Sequence, residues 1–333
     1  MHLSTSYGIY LLFQITAAVV AIPAPEPTPA PTKVQLPKRD LSSWASSVAA
    51  GLPTDIASGI LPAFQGLPSA DDIKEQLNLT DDAIQQLPLQ VLNFPSYANW
   101  TGSGWNVRIH GQAYKQPPAS NETLDRISSI FIADLEVSSL NQTGLQQSRN
   151  MSASMLALPV NDVPLNFTLT SPLSNASLLI RFPNATDDRG EFDRFIQLTP
   201  QDIPLNDSVM SWPIYTVNVE SGNSTMWFVP PQGVSIVSDI DDILRFTQIY
   251  VPQQGLYNSF AVPFVPWSDM PSVYAGWARQ NTDYHFHYLT TTPEQFTRPY
   301  VDFQNKYYPP GSFDDRPLNL TTVDQIFQIR QAR

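Results

Sequence analysis

The chain has 333 residues, carries 30 acids against 18 Lys and Arg for a formal charge of −12, and is 42% hydrophobic. That length allows two ordinary domains with cores of their own. The acidic balance, with no Lys/Arg cluster, excludes a phosphate-backbone footprint and so nucleic acid as a partner, and the absence of cysteine excludes disulfide frameworks and thiol chemistry.

Residues 9–20 form an apolar run of signal-peptide length followed by small residues, so residues 1–21 are predicted to be a leader cut after Ala21. The run Pro23-Ala24-Pro25-Glu26-Pro27-Thr28-Pro29 is an extended linker. It ends at the dibasic Lys38-Arg39, which makes 22–39 a candidate pro-segment. Sequons follow at Asn78, Asn99, Asn121, Asn141, Asn150, Asn166, Asn175, Asn184, Asn206, Asn223 and Asn319. With the leader they predict a secreted glycoprotein with N-glycans at these positions. No other apolar run approaches the length of a membrane span.

Residues 40–98 read as a short helical segment. Asp40 or Ser42 caps the first helix, Gly51-Leu52-Pro53 stops it, and Ser69-Ala70-Asp71-Asp72 and Thr80-Asp81-Asp82 open two more. From 99 to 230 the period changes to two. Strands are predicted at 105–109, 167–170, 178–182, 195–198, 214–219 and 226–229, separated by Pro, Asn, Asp and Gly. Short strands at this spacing point to an antiparallel β-sandwich-like domain. Trp100, Trp105, Trp212 and Trp227 could line a binding surface, but at strand spacing core is the weightier reading. His110, on an alternating strand, carries no functional signal.

After Pro230-Pro231-Gln232-Gly233 the pattern becomes strand (234–238), acidic loop, helix (272–280), strand (284–289) and helix (about 292–307). That alternation predicts a parallel α/β unit over 231–333, incomplete at two or three strands, and an α+β chain overall. The stretch 321–333 has the apolar spacing of an amphipathic helix (Val323, Ile326, Phe327, Ile329). Ligands of parallel sheets bind at the carboxyl ends of the strands. The first strand ends in Ser238-Asp239-Ile240-Asp241-Asp242 and the second in Thr290. A strand repeats every two residues, so Asp239 and Asp241 leave it on one side. Such a pair can supply a nucleophile and a proton carrier, with a divalent cation between them; acids at a strand end are also common as a solvated turn or a helix cap. His285 and His287 share a strand face, yet no third His or Cys lies nearby, so burial in the sheet outweighs a metal pair.

The acidic segment resembles the first motif of haloacid-dehalogenase-type phosphatases, and more narrowly the Ser-Asp-Ile-Asp-Asp-Thr form of the actin-patch phosphatidate phosphatase catalytic family. Pro266-Trp267-Ser268-Asp269-Met270-Pro271, with Tyr274 beyond, is similar to that family's Met-Pro segment, and the run from His285 to Pro293 is similar to its second motif. The stretch from Trp105 to Gly111 resembles, more loosely, its upstream β domain. The resemblance implies a haloacid dehalogenase-like, Rossmannoid fold. It also implies Mg²⁺-dependent hydrolysis of a phosphomonoester, phosphatidic acid giving diacylglycerol. Asp239 would be the nucleophile and Asp241 the acid and base, Mg²⁺ would sit between the Asp239 carboxylate, the Asp241 carbonyl and the phosphate, and the Thr290 hydroxyl would meet a phosphoryl oxygen. Asp242 would support or cap the loop. The substrate would be a phospholipid or another phosphomonoester, and a peripheral contact with a membrane surface fits it. Two departures stand out: Ile243 occupies the family's Thr position, and the sequence ends at Arg333, before the family's motif lysine and final acidic motif, for which Lys306 is no evident replacement. They sustain an alternative, a catalytically inactive secreted binding or surface glycoprotein.

Overall fold

The computed structural model describes residues 73–315 except 76, 133–135, 250, 282 and 291–295. The expected leader, the pro-segment, the first helix of the 40–98 segment, the opening of its second at 69–72, the Asn319 sequon and the 321–333 helix lie outside the described residues. Within them the chain is α+β, with one large mixed sheet and one small parallel sheet.

Helix α1 (Asp81–Gln86) starts where Thr80-Asp81-Asp82 signals, the Thr80 hydroxyl accepting from the Ala83 N–H at 3.2 Å. The large sheet begins at once with β1 (Gln90–Asn93) and β2 (Ser96–Trp100), followed by the long β3 (Trp105–Lys115). It continues through β4 (Leu158–Pro159), β5 (Pro164–Thr170), β6 (Ser177–Ala185), β7 (Glu191–Leu198), β8 (Met210–Thr216) and β9 (Ser224–Val229). The strand order is β1-β3-β2-β9-β8-β5-β6, with β4 and β7 also paired to β3. Trp105, Val107 and Ile109 alternate inward from β3. Phe167 of β5 and Phe182 of β6 meet Phe192 of β7 at ring distances of 5.5 and 5.7 Å, so the two ends of the sheet enclose one core. Trp105 and Trp212 are buried in that core, where the Trp105 indole N–H donates to the Ile203 carbonyl at 3.1 Å. Every described sequon asparagine except the half-buried Asn99 is exposed.

Two features correct the antiparallel, all-strand expectation for this region. The sheet is mixed, because β2 pairs parallel to β9 (Ser96 with Met226, Asn99 with Val229). The chain between them runs through β3 to β8, long enough to remove the antiparallel constraint of a hairpin. In addition, α2 (Asn121–Phe131) and α3 (Gln142–Ser154) interrupt the strands, capped by Ser120 and Asn141. Their small buried serines let the helices approach closely, with Ser128 and Ser152 hydroxyls 2.8 Å apart. Ile127, Phe131, Met151 and Met155 then join the core of the small sheet rather than that of the large one.

The small sheet has the order β10 (Val234–Asp239), β11 (Tyr284–Thr290), β12 (Ser312–Asp315), all parallel. It is connected by α4 (Pro252–Phe260), α5 (Met270–Gln280) and α6 (Thr297–Tyr307). β12 was not anticipated. It follows Pro309-Pro310-Gly311, and any Cβ at Gly311 would lie 2.2 Å from the Phe286 carbonyl, so the close pairing requires glycine. Phe286 and Tyr288 of β11 enter the core with Tyr274, Tyr300, Phe303 and Tyr308. Phe131 of α2 stacks on Phe260 of α4 at 3.9 Å.

The other face of β11 meets the large sheet. His285 is buried there and His287 half-buried: His285 faces Trp227 at 6.4 Å and His287 faces Tyr97 at 5.5 Å. The Ser312 hydroxyl lies between them, 2.9 Å from His285 Nε2 and 2.6 Å from His287 Nδ1. Arg108 of β3 closes this seam by pairing with Asp314 of β12 and, at 3.0 Å, with Asp193 of β7.

Candidate active site

β10, β11 and β12 are parallel, so Asp239, Thr290 and Asp315 end up on one edge. Asp239 stands exposed as the last residue of β10. Ile240 is fully buried, and its N–H donates to the Leu289 carbonyl at 2.9 Å, which fixes where the loop leaves the sheet. The chain then reverses at Asp242, whose φ of 59° is in the left-handed region that aspartate tolerates better than most residues. The Asp242 carboxylate accepts the N–H groups of Thr247 (3.1 Å), Gln248 and Ile249 (2.9 Å). Three backbone donors on one carboxylate make it the clamp of the loop, and Ile243 beside it points into solvent.

Asp241 turns inward. Its Oδ1 accepts the Thr247 hydroxyl at 2.7 Å, the Tyr300 hydroxyl at 2.9 Å and Arg245 Nη1 at 3.2 Å, and its Oδ2 accepts the Thr290 hydroxyl at 3.2 Å. The structure thus joins Asp241 and Thr290 directly, with Thr290 fully buried. Asp239 stands two residues upstream on the solvent side.

Arg245 is the residue that sequence reading missed. It is completely buried, with its guanidinium 3.6 Å from the Phe264 ring centroid and 5.2 Å from that of Tyr300. It donates to the Tyr300 hydroxyl (2.7 Å), the Asn258 carbonyl (3.0 Å) and the Ser259 hydroxyl (3.0 Å) as well as to Asp241. The one available signal was a lone arginine inside an otherwise uncharged run, from Ile243 to Val251. Tyr300 had no signal at all, since it comes from α6. The Met-Pro segment opens α5 and is tied to the loop by the Trp267 N–H, which donates to the Leu244 carbonyl at 2.8 Å.

Among the described residues no three His, Cys, Asp or Glu side chains are placed to hold a metal ion together. The Asp241 carboxylate is also engaged by four donors. A hard cation that is held through one carboxylate, one carbonyl, waters and substrate phosphate needs less, and the exposed Asp239 carboxylate with the Asp241 main-chain carbonyl fits that sparser mode.

Residues 234–333 match the family model for phosphatidate phosphatase APP1, catalytic domain. The family to which the motifs point is therefore the family found, and the match opens on the first residue of β10 and takes in Asp239, Asp241, Arg245, Thr290 and Tyr300. No curated protein shows significant similarity to the chain.

Proposed function

We propose that this protein hydrolyses a phosphomonoester at the carboxyl edge of its small sheet, with phosphatidic acid as substrate and diacylglycerol and phosphate as products. The observation that carries this reading is the placement of an exposed Asp239 beside an inward, fully engaged Asp241, within the segment that matches the phosphatidate phosphatase family. An Asp239 carboxylate oxygen attacks phosphorus, the bond from phosphorus to the glycerol oxygen breaks, and Asp241 gives that oxygen a proton. Water then attacks the aspartyl-phosphate, Asp241 takes its proton, and phosphate leaves with Asp239 restored.

Three of the four donors on Asp241 are hydroxyls, which can rotate to accept as well as donate. Asp241 can therefore gain and lose a proton without backbone movement, while Arg245 holds the carboxylate in place. Mg²⁺, held by the Asp239 carboxylate and the Asp241 carbonyl, would offset the repulsion between carboxylate and phosphate. The full engagement of Asp241 also favours a second reading, a phosphate-binding protein without turnover.

One experiment separates the two. Mg²⁺-dependent phosphate release from phosphatidate, abolished by Asp239→Asn, together with beryllium fluoride trapping at Asp239, is the expected result. Release equal in the Asp239→Asn variant, or no release at all, sinks the enzymatic reading. Calorimetric binding of Mg²⁺ and a phosphate analogue without turnover would establish the second.

A further inference from the structure

The loops that frame the site expose apolar side chains where a soluble surface would be polar. Ile243, Phe246, Ile249 and Val251 follow β10, and Val265 precedes α5. Val265 is 52% and Ile249 49% exposed. The two loops form one surface, because the Phe246 N–H donates to the Val265 carbonyl at 2.9 Å and the Phe246 ring stacks on Trp267 at 5.2 Å. They are held from below by the Asp242 clamp and the buried Arg245, so the apolar tips are presented with little ordering left to do. The only charge from Ile243 to Val251 is Arg245, and it is buried, so the exposed part of this run is uncharged.

We propose that this brow inserts shallowly into a phospholipid surface and seats the carboxyl edge of the small sheet against it, an inference that rests on the lipid-phosphate reading above. A protein partner fits less well. Five side chains on two turns fall short of the roughly 20 residues a side of a standard protein interface. Apolar tips beside an aromatic pair suit the boundary between headgroups and acyl chains. The chain is strongly acidic, so attraction to anionic lipid does not hold it there; the contact is apolar and insensitive to salt. No helix among the described residues is long and apolar enough to cross a membrane.

Co-sedimentation of the full chain with phosphatidylcholine vesicles, with and without phosphatidate, tests this without requiring turnover. The unaltered chain should bind. The Ile249→Ser/Val251→Ser/Val265→Ser variant should bind at least about tenfold more weakly, and a control Leu173→Ser/Leu179→Ser variant, altered at exposed apolar sites in the β5–β6 turn and on β6, should bind like the parent. In Ile249→Trp, tryptophan emission should shift to the blue on adding vesicles, a readout that survives if the triple variant folds poorly. No binding by the parent, equal loss in both variants, loss in about 0.5 M salt, or an unshifted Ile249→Trp overturns the proposal. So does a triple variant that instead abolishes self-association of the chain, which would assign the surface to a second copy. Phosphate release from a water-soluble short-chain phosphatidate is measured alongside. A parent inert there, but with intact brow-dependent binding, would refute the phosphatase reading and leave the docking surface standing.

Discussion

The carboxyl edge of the small sheet and its face against the large sheet bury polar groups in different ways. In the pocket at its carboxyl edge a carboxylate and a guanidinium are buried together, and hydroxyls from Thr247, Thr290 and Tyr300 satisfy the carboxylate that remains. In the seam against the large sheet His110 and His285 are buried and His287 is half-buried, among serine hydroxyls and aromatic rings, and the nearest positive group, Arg108, is already paired with Asp193 and Asp314. The pocket holds charge and depends on the carboxylate and the guanidinium being present together. The seam holds no charge of its own on the histidines and depends on their staying neutral. The first should therefore fail by mutation and the second by acid.

Breaking the charged pocket gives the largest expected effect. Arg245→Met keeps much of the apolar stem but leaves the Asp241 carboxylate, whose side chain is only 11% exposed, without its cation. Removing one partner of a buried pair costs about 3–5 kcal/mol, readable as a shift of the urea midpoint. Asp241→Asn in the same chain should recover part of that loss, with a coupling above about 1 kcal/mol in the double-mutant cycle. Strictly additive losses would mean that the two groups are neighbours without being partners.

Acid should break the seam. Burial, then the charge of His287, lowers His285 to about 3; burial, then the positive charge of Arg108, lowers His287 to about 4. His110 is lowered as well, by burial first and Arg108 second. The unfolded chain has histidines near 6.5, so it takes up protons first. Stability is full above about pH 6.5 and falls as the pH drops toward the folded values. Each of His285 and His287 approaches a slope of about 1.4 kcal/mol per pH unit once the unfolded chain is protonated, so the two together lose about 3 kcal/mol between pH 6.5 and 5. Urea unfolding at pH 7, 6 and 5 reads the slope, and His287→Gln should reduce it by one proton. A flat profile over that interval would show that the seam admits charge.

The seam was more legible than the pocket. Alternation along β11 already puts His285 and His287 on one face, and the lack of a third ligand points to burial rather than to metal. In the pocket the strand running into Asp239 and Asp241 is visible because strand period and charge coincide at one place. Arg245 is not, since its meaning comes from Phe264 and from Tyr300, which lies 55 residues further on in α6. The helices α2 and α3 were missed for a different reason. Leu124, Ile127 and Phe131 have helical spacing behind a Ser120 cap, but serines and sequons around them read as turns between strands. Their apolar faces make sense only once the core of the small sheet exists to receive them. β12, at four residues, is too short to carry a period.

The smallest expected effect sharpens the account of the pocket. Thr290, which the resemblance assigns to a phosphoryl oxygen, donates its hydroxyl to Asp241 Oδ2 at 3.2 Å, the longer end of the donor set around that carboxylate. Thr290→Val keeps the shape and removes only the donor. Asp241 retains Arg245, Thr247 and Tyr300, so the loss of stability should be about 1 kcal/mol, measured by urea unfolding, and Thr290→Ser should restore it. A loss well above about 2 kcal/mol would mean that Asp241 leans on this one hydroxyl, and that the redundancy seen in the geometry does not carry the energy. A small loss of stability with a large fall in phosphate release, recovered by Thr290→Ser, would place the hydroxyl's main role in turnover, on substrate or on the proton carried by Asp241.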